Sequence, residues 1–363
     1  MPFARSVVVG GFGHVRAVVL GEGSPVAAQT MWKDPFNAAA LAGKEGDALI
    51  ARLDRLQRLG CQLLRFAVPD EASAGALGAL AARISLPLIA DIHFDYKLAL
   101  RCLDFPIAKI RINPGNIGSK EKRHAVLDRC AEKNVPVRIG INAGSLPHDL
   151  RRAVNDGMRL AEALVKAAER ELELFDEFHF EKVVVSMKAS SVAETIEANE
   201  LFAARYKIPL HIGVTEAGPL IAGVVRNTAA LYRLLSAGCG ATVRVSLSDS
   251  VENELIAARE ILLASGRAGG VRIISCPRCG RAGFDTHRFT EKWRDELYTL
   301  NKDITVAVMG CAVNGPGEAR NADLGITGTG TTILLFKQGK IIRTIDESEA
   351  DDAFRAELDL FAK

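Results

Sequence analysis

Three thiols and a carboxylate stand in one short C-terminal stretch, Cys276-Pro277-Arg278-Cys279 followed by Cys311-Ala312-Val313-Asn314-Gly315-Pro316-Gly317-Glu318. Two cysteines separated by two residues can bend onto one centre, and a third at the end of a second apolar run can close three corners of a tetrahedral site. The glycines and proline after Cys311 imply a tight turn, which could bring Glu318 back as an oxygen ligand at the fourth corner. Three chemistries compete for such a stretch: a dithiol redox pair, a structural zinc site and an iron–sulfur cluster. The third cysteine weighs against the dithiol pair. The nearest histidine, His287, falls where a helix is expected to start, which weighs against zinc. Thiolate suits zinc and iron–sulfur centres alike, so ligand type leaves both open, with the cluster the better fit.

A second set of reactive side chains is spread along the chain at the ends of apolar runs. Arg65 lies in one run; Asp91 and His93 end the next, then Arg111 and Asn113, Arg138 and Asn142, Ser186 and Lys188. His211, Thr215 and Glu216 mark a further run, and Arg244 and Ser246 the last. Many of these pairs are two residues apart, which in a strand puts both members on one face. Four arginines and a lysine brought to one mouth repel one another unless an anion binds among them, and a diphosphate is a natural counter-ion for guanidinium groups. Asn113-Pro114-Gly115-Asn116-Ile117-Gly118 adds a loop able to offer backbone N–H groups to phosphate oxygens. No Walker loop or G-x-G-x-x-G fingerprint is present.

The elements that must position these groups follow from the alternation of the sequence. Apolar β-rich runs at 26–31, 63–68, 86–92, 108–113, 136–142, 182–187, 209–215 and 242–247 are separated by segments of helical spacing, such as Leu49, Leu53, Leu56 and Leu59, or Leu231, Leu234 and Leu235. Eight strand-then-helix units predict a (β/α)8 TIM barrel over 1–265, ahead of a doubly wound sheet, with the site at the C-terminal ends of its strands. The N-terminal segment, broken by Gly10, Gly11 and Gly13, reads as a hairpin. After the break Gly266-Arg267-Ala268-Gly269-Gly270, residues 271–363 predict a small α/β domain: strands at 271–275 and 304–309, a helix over 284–300, a hairpin at 333–345 turning at Gln338-Gly339, and a last helix at 348–361. Adjacent strands there would bring the cysteines together.

Composition sets limits on function. With 363 residues, 48% hydrophobic and 25% charged, the chain reads as a globular protein of about two domains. A net charge of +2 from 46 basic and 44 acidic residues gives no footprint for nucleic acid or an anionic membrane. No apolar run is long enough to span a bilayer, and seven cysteines without disulfide spacing agree with a reducing compartment, so a cytoplasmic location is expected. Cys61, Cys102, Cys130 and Cys239 have no ligand-like spacing and read as packing residues.

Over nearly its whole length the chain resembles the 4-hydroxy-3-methylbut-2-enyl diphosphate synthase family. The resemblance is carried by Ala90-Asp91-Ile92-His93-Phe94-Asp95-Tyr96, Arg111 to Gly118, Arg138 to Leu146, Lys188-Ala189-Ser190, Thr215-Glu216-Ala217-Gly218, Arg244-Val245-Ser246-Leu247 and the cysteine stretch. It implies a barrel followed by a [4Fe-4S] domain, with Cys276, Cys279, Cys311 and Glu318 as ligands. It also implies two-electron reductive ring opening of 2-C-methyl-D-erythritol 2,4-cyclodiphosphate, with loss of water, driven by ferredoxin or flavodoxin. A homodimer is implied, the cluster domain of one subunit over the barrel of the other. On this resemblance Arg65, Arg111, Arg138, Lys188 and Arg244 hold the diphosphate and Glu216 donates the proton to the departing hydroxyl. Asp91, His93, Asn113, Asn142 and His211 orient, with Ser186, Thr215 and Ser246 also facing substrate. One departure concerns the loop after the first strand, where Thr30-Met31-Trp32-Lys33-Asp34-Pro35-Phe36-Asn37 replaces a Thr- and Asp-containing segment. A pterin-binding type of barrel with structural zinc and a non-catalytic iron–sulfur carrier are the competing classes.

Overall fold

The computed structural model describes residues 3–113, 116–311, 319–330 and 332–362, which divide into two compact units at Ala268/Gly269. The first unit opens with the expected hairpin, β1 (Ser6–Val9) and β2 (Val18–Gly21), antiparallel from Ser6↔Gly21 to Val9↔Val18. Strand alternation puts Val7, Val9, Val18 and Leu20 on one face, packed on Ala27, Leu63, Ile89, Ala108, Val184 and Ala241. Those partners lie at or near the starts of the strands that follow, so the hairpin seals the barrel end opposite the candidate site.

Eight parallel strands form the barrel: β3 (Ala27–Met31), β4 (Leu63–Ala67), β5 (Leu88–Ile92), β6 (Lys109–Ile112), β7 (Val137–Asn142), β8 (Val183–Lys188), β9 (His211–Ile212) and β10 (Thr242–Val243). They run in the order β8-β7-β6-β5-β4-β3-β10-β9, and a parallel bridge from Val185 to Leu210 closes the ring. The last two strands are shorter than the apolar runs at 209–215 and 242–247 predict. Gly213 gives the physical reason: a side chain there would meet the Arg244 carbonyl at 2.3 Å and the Lys188 ammonium at 2.9 Å. The chain crosses too closely for a regular ladder, although the Arg244 N–H still donates to the Ile212 carbonyl at 3.0 Å.

The helices around the barrel are α1 (Gly43–Arg58), α2 (Glu71–Ala81), α3 (Tyr96–Cys102), α4 (Lys120–Glu132), α5 (His148–Asn155), α6 (Leu160–Glu177), α7 (Val192–Arg205), α8 (Leu220–Ser236) and α9 (Val251–Ala264). Leu49, Leu53 and Leu56 of α1 and Leu231, Leu234 and Leu235 of α8 are buried, as their helical spacing requires. Asp70, Ser191 and Ser250 cap α2, α7 and α9 by accepting from backbone N–H groups. Each cap fixes where a strand-end loop turns into its helix.

The second unit is a mixed sheet in the order β11 (Arg272–Ser275), β12 (Thr305–Met309), β13 (Leu324–Gly328), β14 (Thr332–Lys337), β15 (Lys340–Asp346), with α10 (Thr286–Thr299) and α11 (Ala350–Ala362). One face buries Val306, Val308, Leu324, Ile326, Ile333 and Leu335 against Phe289, Trp293 and Leu297 of α10 and Phe354 and Leu358 of α11. The β14–β15 hairpin turns at Gln338 and Gly339, φ 48° and 75°, the paired positive values of a two-residue turn. Strand β13, a segment with two glycines, is absent from the sequence-based expectation. Gly325 is needed there: a side chain would lie 2.1 Å from the ring of Phe336.

Candidate active site

The alternation of β4 to β8 sends charged side chains into the barrel, and the register aligns them. Asp91 stands beside Arg111, Arg111 beside Arg138, and Asn142 beside Lys188. Arg65, Asp91, Arg111, Arg138, Ser186 and Lys188 are all buried, as is Asn113. Asp91 is the hub of this ring. Its carboxylate accepts from Arg111 Nη1 at 2.9 Å and lies 3.4 Å from Arg65 Nε and 3.6 Å from His93 Nε2. Burial alone would push the Asp91 carboxyl up, but Arg65, the neighbouring His93, Arg111 and Arg138 hold it well below the usual carboxylate range.

Asp91 alone does not satisfy this many cations. The Nε atoms of Arg65, Arg111, Arg138 and Arg244, and Arg138 Nη1, are buried without a hydrogen-bond partner among the described residues. Burial, then the like charges of Arg65 and Arg111, push Arg138 downward from the ordinary guanidinium range. An unpaired buried charge costs several kcal/mol, on the order of 3–5 when a partner is removed. The ring is therefore built for an anion with several acceptor oxygens. Arg111 has room to lie across the barrel because its neighbour is glycine, and a side chain at Gly140 would come within 2.6 Å of Arg111 Nε.

A deeper layer lies beneath the ring. His211 is fully buried, with Nδ1 at 2.7 Å from Thr242 Oγ1 and Nε2 at 3.2 Å from Lys188 Nζ. Burial, then the charges of Lys188 and Arg138, hold His211 far below the ordinary imidazole value. Lys188 is pushed down in the same way, by burial and then Arg138 and Arg244. With His211 neutral, its Nε2 is free to accept from Lys188.

The remaining expected residues sit on the rim. Asn142, Thr215 and Ser246 are half-buried, and His93 and Glu216 are exposed. His93 still reaches the ring, with Nε2 at 2.9 Å from Arg111 Nη1. Glu216 has φ +52°, a left-handed conformation unfavourable for a residue with a Cβ, set between the Thr215 N–H bonded to Ala189 and the turn at Gly218. Pro114 and Gly115 of the expected phosphate loop lie outside the described residues; Asn113 before them accepts at its carbonyl from the Asn116 and Ile117 N–H groups.

In the second unit β11 and β12 run side by side, so Cys276 and Cys311 leave adjacent strand ends. The Cys276 N–H donates to the Val308 carbonyl at 3.0 Å. Arg278 has φ +67°, and the Cys279 carbonyl accepts from Ala282 N–H at 2.9 Å, closing the loop that carries both thiols. Gly310 keeps the space beside the first thiol open, since a Cβ there would lie 3.5 Å from Cys276 Sγ. Cys279 is exposed, Cys276 half-buried and Cys311 at 9% exposure. Among the described residues no three Cys, His, Asp or Glu side chains stand at metal-holding spacing. Glu318, with 312–317, lies outside the described residues. The donor set fits an iron–sulfur group in chemistry: three thiols, two on a tight loop and one on the next strand end. The other four cysteines differ. Burial pushes Cys61 and Cys102 up to about 12 and Cys130 and Cys239 upward, which keeps them as packing thiols.

Sequence reasoning missed several groups. Lys109 is fully buried, with Gln29 Oε1 at 3.5 Å, and two residues before Arg111 on the same face; the period-two rule that selected Arg111 would have found it. Met31 lies between two guanidinium groups, 2.8 Å from Arg65 Nη2 and 3.8 Å from Arg244 Nη1. Glu254 of α9, 1% exposed at its side chain, pairs with Arg244 at 3.4 Å, a helix-to-barrel contact with no local sequence signal.

Comparison with known proteins gives the family of both units. Residues 13–259 match the GcpE TIM-barrel domain, and residues 272–360 the GcpE protein C-terminal domain. The 4-hydroxy-3-methylbut-2-en-1-yl diphosphate synthase (flavodoxin) of Treponema pallidum is 54% identical, over 98% of this chain and 91% of that protein. The protein of the same name from Thermodesulfovibrio yellowstonii is 44% identical, over 95% of this chain and 97% of its own. Among solved structures, a Coxiella burnetii dihydropteroate synthase is 12% identical at a TM-score of 0.46, over 72% of this chain and 99% of that one.

Proposed function

The chain belongs to the GcpE family, and on that premise we propose how its own residues open 2-C-methyl-D-erythritol 2,4-cyclodiphosphate to 4-hydroxy-3-methylbut-2-en-1-yl diphosphate. The reaction is a two-electron reductive ring opening with loss of water. The observation that carries the site assignment is the set of guanidinium nitrogens on Arg65, Arg111, Arg138 and Arg244, buried and without a hydrogen-bond partner among the described residues. A cyclic diphosphate offers the many oxygens these nitrogens require.

Arg65, Arg111, Arg138, Lys188 and Arg244 hold the diphosphate, while Asp91 fixes Arg65 and Arg111 and keeps the ring from flying apart before substrate arrives. His211, held neutral, orients the Lys188 ammonium. Asn113, Asn142, Ser186, Thr215 and Ser246 add polar contacts around the sugar-derived carbons, and His93 steadies Arg111. Glu216, in its left-handed conformation at the rim, donates the proton with which the hydroxyl departs as water.

An iron–sulfur cofactor is supported by the family and the donor set, and we assign it as a [4Fe-4S] cluster on Cys276, Cys279, Cys311 and Glu318. When bound it supplies single electrons and a Lewis-acidic iron with a displaceable ligand. Because electrons arrive singly, the reductant is a small one-electron carrier, flavodoxin or ferredoxin, with flavodoxin named for the Treponema and Thermodesulfovibrio relatives. A homodimer and a cytoplasmic location belong to the same proposal, the latter supported by seven free thiols. No helix among the described residues is long and apolar enough to cross a membrane.

The assignment is tested by anaerobic purification with iron and sulfide analysis of the unaltered chain and of Cys276→Ser, Cys279→Ser, Cys311→Ser and Glu318→Gln, with Cys61→Ala as control. About four irons and four sulfides per chain are expected, lost in the thiol variants and labile in Glu318→Gln. A colourless zinc protein, or a cluster that survives Cys311→Ser, overturns it.

A further inference from the structure

The loop after β3, where the sequence departs from the segment expected there, is firmly seated. Trp32 stacks on Phe66 with centroids 5.7 Å apart, Phe36 packs on the same ring at 4.8 Å, and the Arg52 guanidinium lies 4.8 Å over Trp32. This seating aims Lys33 across the barrel edge. Its ammonium lies 2.9 Å from Glu254 Oε1, donates to the Leu247 carbonyl at 2.8 Å and also contacts that of Asp249.

Glu254 thereby serves several donors at once. Besides Lys33 it accepts from the Thr30 hydroxyl at 2.7 Å, the Leu247 N–H at 3.0 Å and Arg244 Nη2 at 3.4 Å. The longest of these contacts is to Arg244, whose Nε has no partner among the described residues. One carboxylate shared by two cations leaves one positive charge unbalanced. Two shorter donors on the same oxygen keep the Arg244 contact long, so the guanidinium stays available on its barrel side.

We propose that Lys33 is a positioning residue for anion binding: by occupying Glu254 it prevents a closed Arg244–Glu254 pair and leaves the Arg244 guanidinium free to hold a phosphate group. This deepens the proposed function and rests on its assignment of the barrel mouth as a diphosphate site. Without the lysine, Glu254 takes Arg244 as its sole cation and the local excess charge disappears.

The test uses inorganic pyrophosphate as probe, with its affinity for the full-length chain measured by calorimetry, so turnover and cofactor content do not enter. Lys33→Met should weaken binding about tenfold, the effect of one partly screened charge near the site. Lys33→Arg should retain the unaltered affinity. The double variant Lys33→Met/Glu254→Gln should recover most of the loss, because removing the competing carboxylate frees Arg244 again. Unchanged affinity in Lys33→Met refutes the proposal while leaving the diphosphate site intact. A loss that neither Lys33→Arg nor the double variant recovers marks a packing role and refutes it equally. If the unaltered chain binds no pyrophosphate, the diphosphate assignment falls and the proposal with it.

Discussion

Alanine at Gly140 should disable the arginine ring from behind, without touching any charged residue. The new Cβ would lie 2.6 Å from Arg111 Nε, 3.0 Å from Nη2 and 3.1 Å from Cζ, about 1 Å inside ordinary contact. Arg111 must then swing away, and its 2.9 Å bonds to Asp91 and His93 go with it. A hydrogen bond to a charged group contributes about 1.5–3 kcal/mol. Alanine offsets about 0.5–1 kcal/mol of this through its lower backbone entropy in a strand. With two such bonds lost, a net destabilisation of about 2–5 kcal/mol follows. The effect on function is larger, because a displacement of about 1 Å in a positioning group can cost up to 100-fold in rate. Steady-state kcat/KM with the cyclodiphosphate and pyrophosphate affinity would both be measured, with thermal unfolding alongside. Gly144→Ala, whose Cβ meets nothing within 4 Å, is the control. Full activity and unchanged pyrophosphate affinity in Gly140→Ala would refute the reasoning.

Three further outcomes follow from the same physics. Arg138→Met removes a buried cation crowded by like charges, so thermal unfolding should show the variant as stable as the unaltered chain or up to about 2 kcal/mol more so, while pyrophosphate binding is lost; a markedly destabilised variant would contradict this. Lys109 is pushed well below the ordinary lysine value by burial and then by Arg138 and Arg65, so the unfolded chain binds its proton more tightly than the folded one. Stability should therefore rise as pH climbs toward about pH 10, where the unfolded lysine also loses its proton, and Lys109→Met should flatten that rise in urea titrations at several pH values; an unchanged slope would sink the claim. Phe354→Ala should cost the second unit about 3–5 kcal/mol, since the ring is fully buried edge-on against Phe289 and Trp293, and near-ultraviolet unfolding curves should show that unit's transition shifting by itself.

Much of the candidate site was legible because strands and helices write different periods. Pairs such as Arg111 and Asn113 or Ser186 and Lys188 announce one strand face, and the run of strand-then-helix units announces the ring that gathers them. What stayed illegible depends on contacts made across the fold. Asp91 reads as one polar residue among many until the register places it between Arg65 and Arg111. Glu254 lies on a helix whose sequence gives no sign that its carboxylate reaches back to Arg244 and Lys33. Strand β13 carries Gly325, which admits the Phe336 ring, and Gly328, which lies against Phe284 and Ile333, contacts no local pattern announces. The left-handed backbone at Glu216 likewise has no signature in a Thr-Glu-Ala-Gly segment. Lys109 is different, because the same alternation that exposed Arg111 covers it.

The most direct test of the central claim is anaerobic turnover of 2-C-methyl-D-erythritol 2,4-cyclodiphosphate by the cluster-loaded chain with reduced flavodoxin, followed by phosphorus NMR. The account predicts loss of the cyclic diphosphate signals, growth of those of the linear allylic diphosphate, and at least about a 100-fold slower reaction in Glu216→Gln, as for removal of a general acid. A loaded, reducible protein that leaves the cyclic diphosphate intact, or a Glu216→Gln variant that converts it at the unaltered rate, would contradict the account.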